Sequence, residues 1–114
     1  MDAETAAREY YRTIDAGEYD ALAALLSPGF VHRRPDRKIE GREAFVRFMH
    51  EERPDADTTH AVEAVYAESA GDARDTDVAV RGRLHRADGE TWFGFVDVFA
   101  VEDGRFVELR TYTA

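Results

Sequence analysis

Asp97 is the residue of this chain best placed to do chemistry, because it stands alone among Trp92, Phe93, Phe95, Val96, Val98, Phe99 and Val101. A carboxyl in such surroundings must be hydrogen-bonded, paired with a cation or protonated, since burying it bare is costly. Two environments are open to it. Arg110, or Arg81 or Arg83 on neighbouring strands, would neutralise it as a structural ion pair; an apolar pocket would instead leave an acid able to donate a hydrogen bond. His32 and Arg34 share one face of a short strand, with Val31 and Arg33 on the other. An imidazole there suits proton transfer, and a guanidinium can orient an anionic or carbonyl group. Arg33, Arg34, Arg37 and Lys38 form the densest basic cluster. That cluster is either a clamp for a ligand carboxylate or phosphate, or a solvated turn paired with Glu40 and Glu43. His50, His60 and His85 lack ligand spacing, so no metal is expected; nor is a cofactor, since there is no glycine-rich phosphate loop and no nucleophile elbow.

Positioning these groups falls to a helical first half and a stranded second half. Ala3, Ala6, Ala7, Tyr10 and Ile14 recur at steps of three and four, which predicts a helix ending near Ala16-Gly17 with Tyr10 facing inward. A second helix is expected over Tyr19 to Leu26, stopped by Ser27-Pro28-Gly29, then a strand from Phe30 to Arg34 ending at Pro35. After a polar turn from Asp36 to Gly41, a third helix should bury Ala44, Phe45, Phe48 and Met49 and close at Pro54. Thr58 to Glu68 and Asp77 to Arg86 read as long strands around the loop SAGDARD. Ala87-Asp88-Gly89 then leads into the strand of Asp97, and Asp103-Gly104 supplies a tight reversal into Phe106, Val107, Leu109, Thr111 and Tyr112. Helices collected before an antiparallel meander imply an α+β domain, helices on one face of a curved sheet. Apolar residues on both faces of the Trp92 to Val101 strand make a second copy of the chain the expected cover of the other face.

One domain over residues 1–114 is expected of a chain this long, and 44% hydrophobic with 34% charged residues describes a globular protein. There is no apolar run long enough for a membrane span and no basic-then-apolar leader, so the expectation is a cytoplasmic protein without a membrane partner. A formal charge of -9 argues against nucleic acid. Lys38 is the sole lysine among 15 basic residues, a pattern of either salt adaptation or codon bias.

The segment EYYRTIDAGEYDALAALLSPGFVHRRP, followed by IEGREAFVRFM and FVDVFAVEDGRFVELRTY, resembles the nuclear transport factor 2-like superfamily, particularly its SnoaL-like branch, with the ketosteroid isomerases as relatives. The resemblance implies a cone-shaped α+β roll, commonly dimeric, with three N-terminal helices on a mainly antiparallel sheet and a hydrophobic pocket between the two. It places Tyr10 and Asp97 where the ketosteroid isomerases hold an oxyanion, while Arg34 replaces their general base, an aspartate, before the strand-ending proline. An arginine cannot abstract that proton. The implied catalytic set is Asp97, Tyr10 and His32; Arg34, Phe48, Phe95, Phe99 and Arg110 would contact the ligand, an apolar small molecule. Three functions remain open: an isomerase, cyclase or hydratase acting on an apolar carbonyl compound, a non-catalytic ligand-binding or dimerisation module, or a structural adaptor whose pocket is filled by its own side chains.

Overall fold

The computed structural model describes residues 1–53, 55–68 and 76–114. Helix α1 spans Ala3–Ala16: the Asp2 side chain caps its first turn by accepting from the Thr5 amide at 2.7 Å, and Gly17, at φ 70°, closes its last. Its buried stripe is wider than the periodicity predicts, holding Tyr11 and Thr13 as well as Tyr10 and Ile14. Helix α2 covers Tyr19–Ala24 and stops two residues early, because Leu26 already pairs with Phe106 at the head of strand β1, Leu26–Arg33. Within the turn before the third helix, Lys38–Glu40 forms a short strand β2 against β1. Three residues carry too little pattern to announce a strand.

Helix α3, Arg42–Arg47, runs into a π-helical turn, Phe48–Glu52, that displaces Phe48 and Met49 from a regular α-helical stripe while keeping both buried. The expected stop at Pro54 and the loop from Ser69 to Asp75 lie outside the described residues. Strands β3 (Thr59–Ala67), β4 (Val78–His85), β5 (Thr91–Glu102) and β6 (Arg105–Thr113) form the predicted meander. Asp103 and Gly104, at φ 54° and 80°, make the tight β5–β6 turn.

The sheet order is β2-β1-β6-β5-β4-β3. Every neighbour pair is antiparallel except β1 and β6, which run parallel with His32 opposite Leu109. The helices pack on one face, α1 against β3 and β4 and α3 against β1 and β2. Phe30, Phe45, Phe99 and Phe106 are fully or almost fully buried in the core between these layers. Along β5, Phe95, Asp97, Phe99 and Val101 point into that core, whereas Val96, 39% exposed, leaves the outer face uncovered in the single chain. Gly82 lies opposite Phe95; a Cβ there would fall 2.6 Å from the Ala61 carbonyl oxygen and 2.7 Å from the Phe95 ring, so only glycine lets that ring cross the strand. Among the described residues no helix is long and apolar enough to cross a membrane.

Candidate active site

A cavity of about 240 Å³ opens between the helices and the sheet, with a chiefly apolar wall. Asp97 sits on it, 5% exposed. β6 lays Thr111 directly opposite Asp97, and the Thr111 hydroxyl donates to Oδ1 at 2.5 Å. The Tyr11 hydroxyl donates to Oδ2 at 2.6 Å. Arg110 instead pairs with Glu108, and Arg81 and Arg83 lie beside Glu63, so none of the three arginines expected as structural partners reaches Asp97. Burial raises the pKa of Asp97, and the hydrogen bonds from Thr111 and Tyr11 only partly offset it. Burial, reinforced by the Asp97 charge, also pushes both tyrosine phenols well above their usual range, so they stay protonated donors.

The resemblance puts Tyr10 with Asp97 at an oxyanion, and the hydroxyl that bonds Asp97 is that of the neighbouring tyrosine. Tyr11 makes the bond; Tyr10 lines the cavity, and among the described residues nothing bonds its hydroxyl. Successive residues of a helix point about 100° apart, yet both tyrosines are buried here, at 3% and 2% exposure, because α1 is wrapped on two sides.

His32 also lines the cavity, but its ring is committed elsewhere. Nε2 lies 2.8 Å from Thr111 Oγ1, and because that hydroxyl already donates to Asp97, Nε2 carries the proton and Thr111 accepts. Nδ1 is then a bare lone pair, buried and without a partner among the described residues. Burial, with Arg34 close by, lowers the His32 pKa to about 3, so the ring stays neutral. His32, Thr111, Asp97 and Tyr11 thus form one buried chain of hydrogen bonds drawn from β1, β6, β5 and α1.

Arg34, Phe48 and Phe95 join the cavity wall, the Arg34 guanidinium resting 5.4 Å from the centre of the Phe48 ring. Phe99 lies behind that wall in the core, and Arg110 lies outside the cavity with half its side chain exposed. The basic cluster is spread over local acids: Arg33 on Glu108, Arg34 and Arg37 on Asp36, Lys38 on Glu40. Three cavity residues carried no sequence signal. Arg53 reaches back to the Met49 carbonyl, Thr111 looks like any strand threonine, and His60 shows no spacing to a partner because its partner is Asp15, on another element.

This arrangement of a helix-covered sheet, a cavity and an inward carboxyl can be compared with known proteins. The sequence model of the SnoaL-like domain matches residues 7–109. The chain belongs to the SnoaL-like family. Solved structures agree with that assignment. A candidate ketosteroid isomerase from Kribbella flavida superposes with a TM-score of 0.78 at 25% identity, covering 96% of this chain and 76% of that one. A candidate SnoaL-like polyketide cyclase from Jannaschia gives 0.72 at 19% identity, over 96% and 83% of the two chains. The orange carotenoid protein of Anabaena, binding canthaxanthin, gives 0.74 at 23% identity, over 90% of this SnoaL-like chain but 33% of its own. No curated protein matches the sequence.

Proposed function

We propose that this SnoaL-like domain takes an apolar small molecule bearing a carbonyl oxygen into the cavity and presents Asp97 to that oxygen as a hydrogen-bond and proton donor, in chemistry of the isomerase, cyclase or hydratase kind. The observation that carries this reading is a carboxyl, 5% exposed, on an otherwise largely apolar cavity wall, with no cation within ion-pairing distance among the described residues. Such a site favours the protonated acid, the form that can donate. Each carboxyl oxygen has two acceptor directions, so Asp97 can keep Tyr11 and Thr111 as donors and still turn a proton toward a ligand. Arg34 adds a fixed positive charge to the same wall, where it would stabilise negative charge developing on the ligand oxygen.

A second reading, a holder without chemistry, draws on the likeness to the carotenoid-binding protein of Anabaena. A cavity of about 240 Å³ is far too small for a carotenoid, so a holder of this shape would take a ligand of one or two rings. Trp92, the sole tryptophan, lines the cavity and gives a fluorescence signal for ligand entry. The test compares 2-decalone with decalin, which share shape and differ by one carbonyl. The ketone should bind several-fold more tightly, and Asp97→Ala should erase that preference. Equal binding of the two compounds to the unaltered chain would remove the donor role from Asp97.

A further inference from the structure

His60 is the second residue of β3 and lines the same cavity as Asp97, but brings different chemistry to it. Its Nδ1 lies 2.7 Å from Asp15 Oδ1, and its backbone amide donates to Asp15 Oδ2 at 2.9 Å. A carboxylate accepts, so Nδ1 carries a proton, and in the neutral ring Nε2 is the nitrogen with the lone pair. Among the described residues nothing bonds Nε2. It differs from His32 Nδ1, the one buried side-chain polar atom left without a partner among those residues: His60 Nε2 is not sealed in. The rings of Tyr11 and Phe95, at 5.1 Å and 5.8 Å between centroids, fix the plane of the imidazole.

The position of Asp15 adds an independent observation. It lies in the last turn of α1, which contains no basic residue, and there the helix dipole disfavours a carboxylate by about 0.3–1 kcal/mol. A residue that breaks a local rule is expected where its side chain is needed for something else. Tying α1 to β3 needs only the bond to the His60 amide. Orienting the ring needs the second oxygen, and Asp15 supplies both.

We propose that His60, oriented by Asp15, is the base of this cavity and takes a proton from the carbon next to the carbonyl that Asp97 holds. The inference rests on the reading of the cavity given above. In the step, the C–H bond breaks and its proton bonds to Nε2; the C–H pair becomes the new C=C bond, and the carbonyl π pair moves onto oxygen, which receives the proton of Asp97. In a ligand that carries a C=C one carbon further on (O=C–Cα–Cβ=Cγ), the Nε2 proton returns to Cγ on the Cβ=Cγ π pair, the C=Cα pair moves to Cα=Cβ, and the O–H pair re-forms C=O as its proton goes back to Asp97. The double bond thus shifts without oxidant or net change in composition. His60 is the catalytic residue here and Asp15 a positioning residue.

Two measurements on the full chain test this. Nitrogen-15 NMR of the imidazole should show His60 with its proton on Nδ1, and Asp15→Asn should release that preference; a proton on Nε2 in the unaltered chain would overturn the proposal. The second uses 5-nitrobenzisoxazole, a small apolar compound that a base opens by removing its ring C–H as the N–O bond breaks, giving a nitrile and a coloured phenolate. The chain should accelerate the opening, and His60→Gln should cut turnover about a hundredfold while Trp92 fluorescence still reports binding. Asp15→Asn should lower kcat about tenfold or more and leave KM unchanged, since the tautomer is no longer fixed. If the compound binds and opens no faster than with His60→Gln, the base role falls and the ligand-binding reading stands. If the compound does not quench Trp92, the cavity reading falls and the base role with it.

Discussion

Removing the Tyr11 hydroxyl is the most direct way to ask what holds Asp97. Tyr11→Phe deletes one oxygen atom and keeps the ring against His60, Phe95 and Phe99, so packing is preserved and only the 2.6 Å bond to Oδ2 is lost. A hydrogen bond to a charged group contributes about 1.5–3 kcal/mol, and it favours the ionised carboxylate far more than the neutral acid. Without it the ionised form loses that support, and the proton should be held roughly ten- to a hundredfold more tightly, at about 1.4 kcal/mol per factor of ten. Carbon-13 NMR of the Asp97 carboxyl across pH reads this directly. Tyr10→Phe is the control, because Tyr10 lies on the cavity without a hydrogen bond to Asp97; the Asp97 titration curve should then nearly overlay that of the unaltered chain. If Tyr11→Phe left the curve in place, or Tyr10→Phe moved it further, the assignment of Tyr11 as the partner of Asp97 would be refuted.

The pH dependence of stability should carry the same signature. A carboxyl with a raised folded pKa contributes stability that is fully present below its unfolded pKa and is lost as pH rises through the folded one. The stability of the unaltered chain relative to Asp97→Asn should therefore fall across that window, by up to about 1.4 kcal/mol per pH unit, in denaturant titrations; a difference that stays flat would contradict it. Gly82→Ala should destabilise by about 1–3 kcal/mol in thermal melts and weaken ligand quenching of Trp92, because the new methyl must displace the Phe95 ring; an unchanged melting temperature would show that the ring has room to move. The outer sheet face, where Val96 pairs across strands with Tyr112 at 39% and 55% exposure, should bury itself in a homodimer. Sedimentation should then give a dimer for the unaltered chain and a monomer for Tyr112→Glu, and a monomeric unaltered chain at micromolar concentration would count against it.

Much of this architecture was legible in the residues. The β5–β6 hairpin, the inward placement of Asp97 and the α+β layering follow from period, turn chemistry and composition, all of which are local. What stayed hidden depends on how separate elements meet. Tyr11 rather than Tyr10 reaches Asp97 because of the rotation of α1 over the sheet, which a stripe of alanines and tyrosines leaves undefined. Asp15 and His60 come together only once the end of α1 is laid beside the start of β3, so neither has a recognisable spacing to the other. His32 and Arg34 do share a strand face, but the sequence could not say that Thr111 would occupy the His32 ring. β2 and the π-helical turn at Phe48–Glu52 are too short to register as period at all.

The parallel join between β1 and β6 has a consequence for how the molecule comes into being. β1, Leu26–Arg33, and β6, Arg105–Thr113, are separated by β2, α3 and the β3–β5 meander, so the two halves of the sheet can be linked only after that whole intervening segment is present. Contacts of such long range close slowly, because the loop entropy is spent before the pairing returns any stability. A nascent chain can build α1, α2 and the β3–β5 meander early, yet β6 must arrive before Thr111 can stand between His32 and Asp97. The carboxyl would therefore remain solvated, and ordinary in its acidity, until the final strand locks the sheet shut.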